Sequence, residues 1–472
     1  MSLVGRRKEI EILDDIMDSG MPEFIAVYGR RRIGKTFLIK EYFNDRFTFY
    51  ATGINGAAFR EQLKNFRDFL VEYGDIDKEA PSNWFDAFRR LRLLLEKKDA
   101  YKDAKHERKV VFLDEVPWMD TQKSGFKAAL DRFWNAWGSR QTDLVLIVCG
   151  SATSRVVNSL LKSKGGFYNR LTNQIHLMPF SLKECKEYAE MRHLVLSQDE
   201  LLRYYMVFGG VPYYWSLLAK GKSLPQNVQR LCFDTDGPLK NEYSSLFRSL
   251  FYEKGEHRLI VETMAKKKSG LTRKELVENG VKDGEILSDN LEDLIQCGFV
   301  KRIRNGHNNI REAKYLLIDP FVCFSLTFLS SDKTDNWQTY FGSPSYYAWQ
   351  GNAFELVCLN NITSLKSALG ISGVETNEFS WRSSSSVPGA QIDLVIERKD
   401  GVSNICEMKY SEDAFSIDGQ YEKVLRNKLT CYRLETKTKN ALHLTMVVAN
   451  GFVNNEHSSL VSNVIDGSEL FL

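Results

Sequence analysis

Two groups of residues in the 472-residue sequence could do phosphate chemistry. The first is Gly29-Arg30-Arg31-Arg32-Ile33-Gly34-Lys35-Thr36, followed by Phe37. Its spacing is that of a phosphate-binding loop. The glycines let backbone N–H groups approach phosphate oxygens, Lys35 would reach the β- and γ-phosphates, and Thr36 would ligate Mg²⁺. Arg30, Arg31 and Arg32 are not needed for that task. They belong either to the loop and its packing, paired with acidic neighbours, or to a contact with DNA or another subunit. Hydrolysis also needs carboxylates, and Asp114-Glu115 supplies them. Asp114 would hold Mg²⁺, and Glu115 would orient or activate the attacking water. Ser151 either senses the γ-phosphate or ends a strand as ordinary turn chemistry.

The second group is Asp393, Glu407 and Lys409, with Glu355 upstream. Hard carboxylate oxygens suit a divalent metal, and a metal can activate water and stabilise charge on a cleaved phosphate. Asp393, Glu407 and Glu355 are therefore candidate metal ligands. Glu407 and Lys409 are candidate catalytic residues, and Lys423 on the following helix is a further candidate neighbour.

The elements that must position these residues can be read around them. Phe24-Ile-Ala-Val-Tyr28 is a short apolar run, as a buried strand requires, and Thr36 to Tyr42 has helical character. Lys109 to Leu113 and Leu144 to Cys149 read as further buried strands, so Asp114 and Ser151 emerge at strand C-termini, where doubly wound sheets bind ligands. Alternating strands and helices over residues 1–180 imply an α/β core with a parallel sheet. Helical sequence follows over 181–253, opened by the capping box Ser181-Leu-Lys-Glu184. Arg258 to Ala265, a capping box at Thr272-Arg-Lys-Glu275, and Ile286 to Ile295 read as three helices. A hairpin from Phe299 to Ile318 completes a winged helix over 254–330. Its third helix can enter a DNA groove and its wing can touch phosphates, but Glu285, Asp289, Glu292 and Asp293 would repel a phosphate-lined groove. Winged helices also serve protein contacts or domain packing, and both uses stay open. In 331–472, Gln391 to Arg398 and Val402 to Tyr410 form a hairpin through Lys399-Asp-Gly401. Residues two apart share a strand face, so Glu407 and Lys409 point the same way and Asp393 can join them. Ser383-Ser-Ser-Ser386 reads as a mobile loop beside this site.

The N-terminal motifs together resemble the AAA+/STAND-related P-loop ATPases often called the archaeal ATPase family, which also occurs in bacteria. The resemblance is carried by Val4-Gly5-Arg6, the Tyr28–Thr36 loop, Leu113-Asp-Glu115, Gly150-Ser-Ala-Thr-Ser154, Gly166-Phe-Tyr-Asn-Arg170, Pro179-Phe-Ser181 and Gly209-Gly-Val-Pro-Tyr213. It implies ATP and Mg²⁺ as cofactors, Gly5 and Arg6 near the adenine, and Ser151 as a sensor. It also implies Gly209–Tyr213 in a helical lid over the nucleotide and Arg170 as an arginine finger, often supplied by a neighbouring subunit. Arg155 competes for that role, and Arg170 as a surface salt bridge stays open. The C-terminal hairpin resembles the PD-(D/E)xK nuclease superfamily, with a restriction-endonuclease-like α/β fold. By that resemblance Asp393, Glu407 and Lys409 form the core and Glu355 is accessory, although Gln391-Ile392 replaces the literal Pro-Asp lead.

Composition bounds the reading. A net charge of +3 neither requires nor excludes nucleic acid. The eight cysteines lack any C-x-x-C pair and read as reduced core residues, so a cytoplasmic protein without signal peptide or membrane helix is expected. Two functions fit. One is ATP hydrolysis coupled to nucleic acid, with a nuclease effector and a homo-oligomeric assembly. The other is a STAND-like switch acting on a protein partner, its C-terminal domain silent. A small-molecule kinase fits poorly, because Asp114-Glu115 suits water as acceptor.

Overall fold

The computed structural model describes residues 3–97, 102, 107–151, 170–251, 256–267, 269–305, 309–329 and 336–471. Thr153, Ser154, Arg155, Gly166–Asn169 and Lys268 lie outside them, as do the side chains of Arg304 and Asn305. The chain divides into two compact units, Met1–Met178 and Pro179–Leu472.

The first unit is built on a five-stranded, wholly parallel sheet. Its strands are β1 (Glu23–Gly29), β2 (Phe49–Thr52), β3 (Lys109–Asp114), β4 (Leu144–Ser151) and β5 (Asn173–His176), in the order β2-β3-β4-β1-β5. Strands β1, β3 and β4 are largely apolar because both faces are covered, whereas the edge strand β5 reads Asn-Gln-Ile-His. Phe24, Ala26, Val111, Leu113, Leu146 and Val148 pack toward α3 (Phe59–Glu72), α4 (Trp84–Leu95) and α6 (Phe126–Ala136). Their neighbours Ile25, Val27, Val110, Phe112, Val145 and Ile147 pack toward α1 (Arg7–Asp18) and α2 (Lys35–Tyr42). The alternation follows the two-residue strand period. A short turn of helix, α5 (Val116–Met119), leaves β3 directly.

The second unit opens with helices α7 (Leu182–Met191), α8 (Gln198–Phe208) and α9 (Pro212–Ser216). Ser181 caps α7 and Ser197 caps α8, each in a capping box with the glutamate three residues on. The Gly209–Tyr213 motif has a structural role here. A Cβ on Gly210 would lie 1.8 Å from Phe180 O, while Phe180 N–H donates to Gly210 O at 2.6 Å. Two motifs far apart in sequence are thus one backbone contact that only glycine permits.

Helices α10 (Leu224–Val228) and α11 (Glu242–Leu250) lead to α12 (His257–Ala265), α13 (Arg273–Glu278) and α14 (Glu285–Gln296). Ile260, Val261 and Met264 are buried on α12, and Leu287, Leu291 and Leu294 on α14, while Glu285, Asp289 and Glu292 are exposed. Strands β6 (Leu271–Thr272), β7 (Val300–Asn305) and β8 (Asn309–Leu317) complete this segment. They do not form a free-standing wing. Strand β7 pairs in parallel with β9 (Thr376–Arg382) through Arg304↔Phe379 and Asn305↔Ser380. One eight-stranded sheet results, in the order β15-β13-β11-β10-β9-β7-β8-β6. Its further members are β10 (Gln391–Arg398), β11 (Val402–Lys409), β13 (Ala441–Val448) and β15 (Val461–Asp466); β12 (Phe415–Ser416) and β14 (Phe452–Val453) pair separately. Helices α15 (Pro320–Phe324), α16 (Pro344–Asn360), α17 (Ile362–Ala368) and α18 (Gly419–Thr436) complete the unit.

The serine run does not behave as a mobile loop. The backbone N–H groups of Ser384, Ser385 and Ser386 donate to the Glu435 carboxylate at 2.8, 3.1 and 2.8 Å, and the Ser384 and Ser386 hydroxyls add two more bonds. These bonds hold the Glu435 carboxyl well below the usual carboxylate range.

Candidate functional site

The phosphate-binding loop links β1 to α2. Gly29 has φ +154°, and a Cβ there would meet Leu177 O at 2.3 Å and Ile33 Cδ1 at 2.5 Å. Gly34, at φ +89°, precedes the first residue of α2. Arg32 adopts a left-handed φ of +69°. Lys35 is buried, and its Nζ donates to Gly29 O at 3.2 Å and Arg30 O at 2.9 Å. The ammonium thus sits inside the curl of the loop, where a phosphate would compete for it. The three arginines differ in placement. Arg30 is 1% exposed and belongs to the packing, whereas Arg31 is exposed and Arg32 is half-buried. Ile33 is buried and Phe37 exposed.

Thr36 Oγ1 donates to Asp114 Oδ2 at 2.9 Å, and Asp114 Oδ1 accepts from Glu115 N–H at 3.0 Å. The loop and the acidic strand end are therefore one assembly. Glu115 follows at φ +47°, which turns the chain from β3 into α5. Burial raises the Glu115 carboxyl pKa, Lys35 opposes this, and Asp114 reinforces it. A carboxylate raised in this way is a stronger base than an ordinary one. Ser151 ends β4 directly beside Gly29 in the sheet register.

Gly5 and Arg6 have φ of 65° and 58°. The buried Arg6 guanidinium donates to Met178 O at 2.7 Å and to Ile33 O at 3.1 Å, tying the chain's start to the loop backbone. Arg170 is half-buried and donates to Asn135 Oδ1 on α6.

The second site lies on the β10–β11 hairpin. Leu394 pairs with Cys406, so one further step of the antiparallel register sets Asp393 beside Glu407. Helix α16 brings Glu355 to the same cleft, of about 260 Å³, which Lys409, Asn427 and Lys428 also line. Glu407 is 3% exposed. Its Oε1 accepts from Tyr421 Oη at 2.6 Å and faces Lys409 Nζ at 3.1 Å, and its Oε2 faces Lys428 Nζ at 2.5 Å. Lys409 also lies 5.2 Å from the Tyr421 ring centroid. Burial would raise the Glu407 pKa, but Lys428, Lys409 and Tyr421 outweigh it and hold the group lowered. Asp393 goes the other way. Burial first, then the Glu407 and Glu355 charges, push it up to about 7 against the pull of Lys428 and Lys409.

Lys428 and Tyr421 on α18 are the neighbours the sequence reading missed. Lys423, named in their place, is exposed. The three carboxylates share the cleft without forming an ion cage: among the described residues no three His, Cys, Asp or Glu groups are disposed around one metal position. Both Glu407 oxygens already face ammonium groups. At the first site the Thr36 hydroxyl and Asp114 carboxylate are hard oxygen donors held together, and they fit Mg²⁺.

Residues 3–218 match a family model described as an ATPase domain predominantly from Archaea. The uncharacterized protein MJECL04 of Methanocaldococcus jannaschii is 26% identical over 335 residues, 69% of this chain and 68% of that protein. Among solved structures, the Walker-type ATPase PABY2304 of Pyrococcus abyssi aligns at 18% identity and TM-score 0.49, covering 69% of this chain and 96% of that one. The Aeropyrum pernix ORC2 protein aligns at 14% identity and TM-score 0.42, covering 72% and 96%. Among the described residues no helix is long and apolar enough to cross a membrane.

Proposed function

We infer that this ATP-hydrolysing enzyme, with its ATPase domain at residues 3–218, depends on Mg²⁺ and couples ATP turnover to nucleic acid, with a metal-dependent nuclease-type effector in residues 331–472. Residues 181–253 serve as the helical lid and 254–330 as a winged helix built into the effector sheet. The observation that carries the effector reading is that Glu355, Asp393, Glu407 and Lys409 line one cleft.

For ATP, the Gly29–Phe37 loop cradles the phosphates, and Lys35 leaves its backbone carbonyls for the β- and γ-oxygens. Thr36 and Asp114 hold Mg²⁺, which when bound neutralises charge on the phosphates. Glu115 accepts a proton from the attacking water as its oxygen bonds to the γ-phosphorus, the γ-phosphorus–oxygen bond to ADP breaks, and phosphate leaves. Ser151 lies beside the γ-phosphate, and Gly5 and Arg6 buttress the nucleotide side of the loop. Arg170 acts as a finger in a homo-oligomer after releasing Asn135. At the effector, Asp393, Glu407 and Glu355 would hold a metal only once Lys428 and Lys409 withdraw from Glu407, and Lys409 would then position water. Eight free cysteines, seven of them buried, accord with a cytoplasmic protein.

A second reading has its own support. With Lys409 and Lys428 both on Glu407, the cleft is suited to staying silent, as in an ATP-driven switch acting on a protein partner. The deciding experiment is cleavage of linear, supercoiled and single-stranded DNA with Mg²⁺ or Mn²⁺, with and without ATP. Cutting that disappears in Glu407→Gln supports the effector, and its loss in Lys35→Ala places it under ATP control. No cutting under any condition favours the switch.

A further inference from the structure

A groove of about 1310 Å³ runs along the eight-stranded sheet of the second unit. It shares Glu355, Gln391 and Asp393 with the smaller cleft, so the two form one concavity. Its volume exceeds what a small-molecule pocket usually needs. Its distant end is lined by Lys266, at the end of α12, and by Lys301 and Arg302 of β7. This juxtaposition exists because β7 pairs with β9 and not with a partner of its own segment alone.

The charges change along the groove. Two of its cations are neutralised locally: Lys366 faces Glu378 at 3.2 Å, and Lys399 pairs with Glu375. At the distant end Lys266 and Arg302 are exposed and have no acidic partner among the described residues. Lys301 Nζ donates to the Leu359 carbonyl at 3.3 Å and feels the Glu378 charge. The exposed α14 surface, by contrast, carries Glu285, Asp289 and Glu292. Among the described lining residues, exposed positive charge without an acidic partner therefore lies at Lys266 and Arg302, while the third helix presents acidic residues.

We propose that the groove is a nucleic-acid track: Lys266, Lys301 and Arg302 grip the phosphodiester backbone and lead it to the Asp393–Glu407–Lys409 cleft. This rests on the nuclease-type reading for the identity of the cleft, but the gripping step can be tested apart from it. An acidic peptide would satisfy the basic end, yet it would bring carboxylates toward Asp393 and Glu355 with no reaction to undergo there. A phosphodiester meets a lysine and carboxylates suited to its chemistry.

The test measures binding of a fluorescein-labelled 30-nucleotide single strand, and of the duplex of the same length, to the full chain in EDTA, so that no cutting intervenes. Lys266→Glu combined with Arg302→Glu should weaken binding at least tenfold. It should also reduce the slope of log affinity against log salt by about 1.4 for the single strand or about 1.8 for the duplex. The affected probe identifies which form occupies the track. Lys266→Arg with Arg302→Lys should restore affinity, and ATP turnover and melting temperature should stay at the wild-type value in both variants. Unchanged affinity and slope in the charge-reversed protein would overturn the proposal, as would absence of binding by the wild-type chain. Binding that follows these rules, together with no cutting in the separate Mg²⁺ or Mn²⁺ assay, would keep the track and overturn the nuclease reading alone.

Discussion

The Tyr410 hydroxyl donates to Asp199 Oδ1 at 3.2 Å across 211 positions of sequence. Asn450 Nδ2 donates to the same oxygen at 3.2 Å, and Arg203 grips the other. Tyr410 follows Lys409, and Asp199 lies in the first turn of α8. A single carboxylate therefore ties the helical segment proposed as a lid to the end of the strand that presents Glu407 and Lys409.

That tie should be measurable. Tyr410→Phe and Asp199→Asn should each lower stability by roughly 1–2 kcal/mol, since the bond involves a charged acceptor in a half-buried place. A double-mutant cycle by urea unfolding should return a coupling energy of about 1 kcal/mol. Strictly additive effects would show that the bond contributes nothing.

In the ATP site, Glu115→Gln should retain ATP while slowing hydrolysis roughly 10²- to 10⁴-fold, the range for loss of a positioned base. Lys35→Ala should instead lose ATP affinity by roughly tenfold or more, because a charge-assisted phosphate contact disappears. Filter retention of labelled ATP and phosphate release separate the two effects. Normal turnover in Glu115→Gln would remove its assigned role.

Asp393 predicts a pH dependence. In the folded chain its carboxyl titrates at about 7, raised from 3.8 chiefly by burial and then by Glu407 and Glu355. The folded state thus keeps a proton that the unfolded chain releases at lower pH. The stability this contributes is full below about pH 4 and is lost as pH rises through about 7. In EDTA, Asp393→Asn should melt like wild type near pH 4 and be more stable near pH 8, by at most about 4 kcal/mol. Melting curves that stay parallel across that range would contradict a buried, raised carboxyl.

Glu435 predicts a local effect. Its carboxylate collects the Ser384–Ser386 backbone and hydroxyl donors. In Glu435→Ala the loop loses every one of these bonds, and limited proteolysis should nick it several-fold faster with little change in ATP turnover. Unaltered nicking would mean that the loop is held by something else.

The sequence was most readable where chemistry is local. Gly29–Thr36 and Asp114-Glu115 announce themselves by spacing, and the buried strands by unbroken apolar runs. The capping boxes at Ser181 and Thr272 are likewise complete within four residues. What escaped depends on distant pairing. Lys428 reaches Glu407 from α18, and nothing in its own surroundings distinguishes it from Lys423. The helix period was the available signal: Tyr421, Leu425, Lys428 and Tyr432 fall on one face, and Leu425 and Tyr432 are buried there. Lys423, two residues from Tyr421, falls off that face. The serine run looked loose because its partner Glu435 lies about fifty residues downstream. The β7–β9 pairing left no local trace, since strand partners are chosen by the folded sheet.

That pairing has a practical consequence. A chain cut at residue 330, where sequence alone would end a domain, would strip β9 from β7 and leave a raw backbone edge. Unpaired edges recruit other strands, so such a fragment should self-associate instead of behaving as a clean monomeric module. The segment is better handled as an inseparable part of residues 179–472 than as a cassette to be moved between proteins.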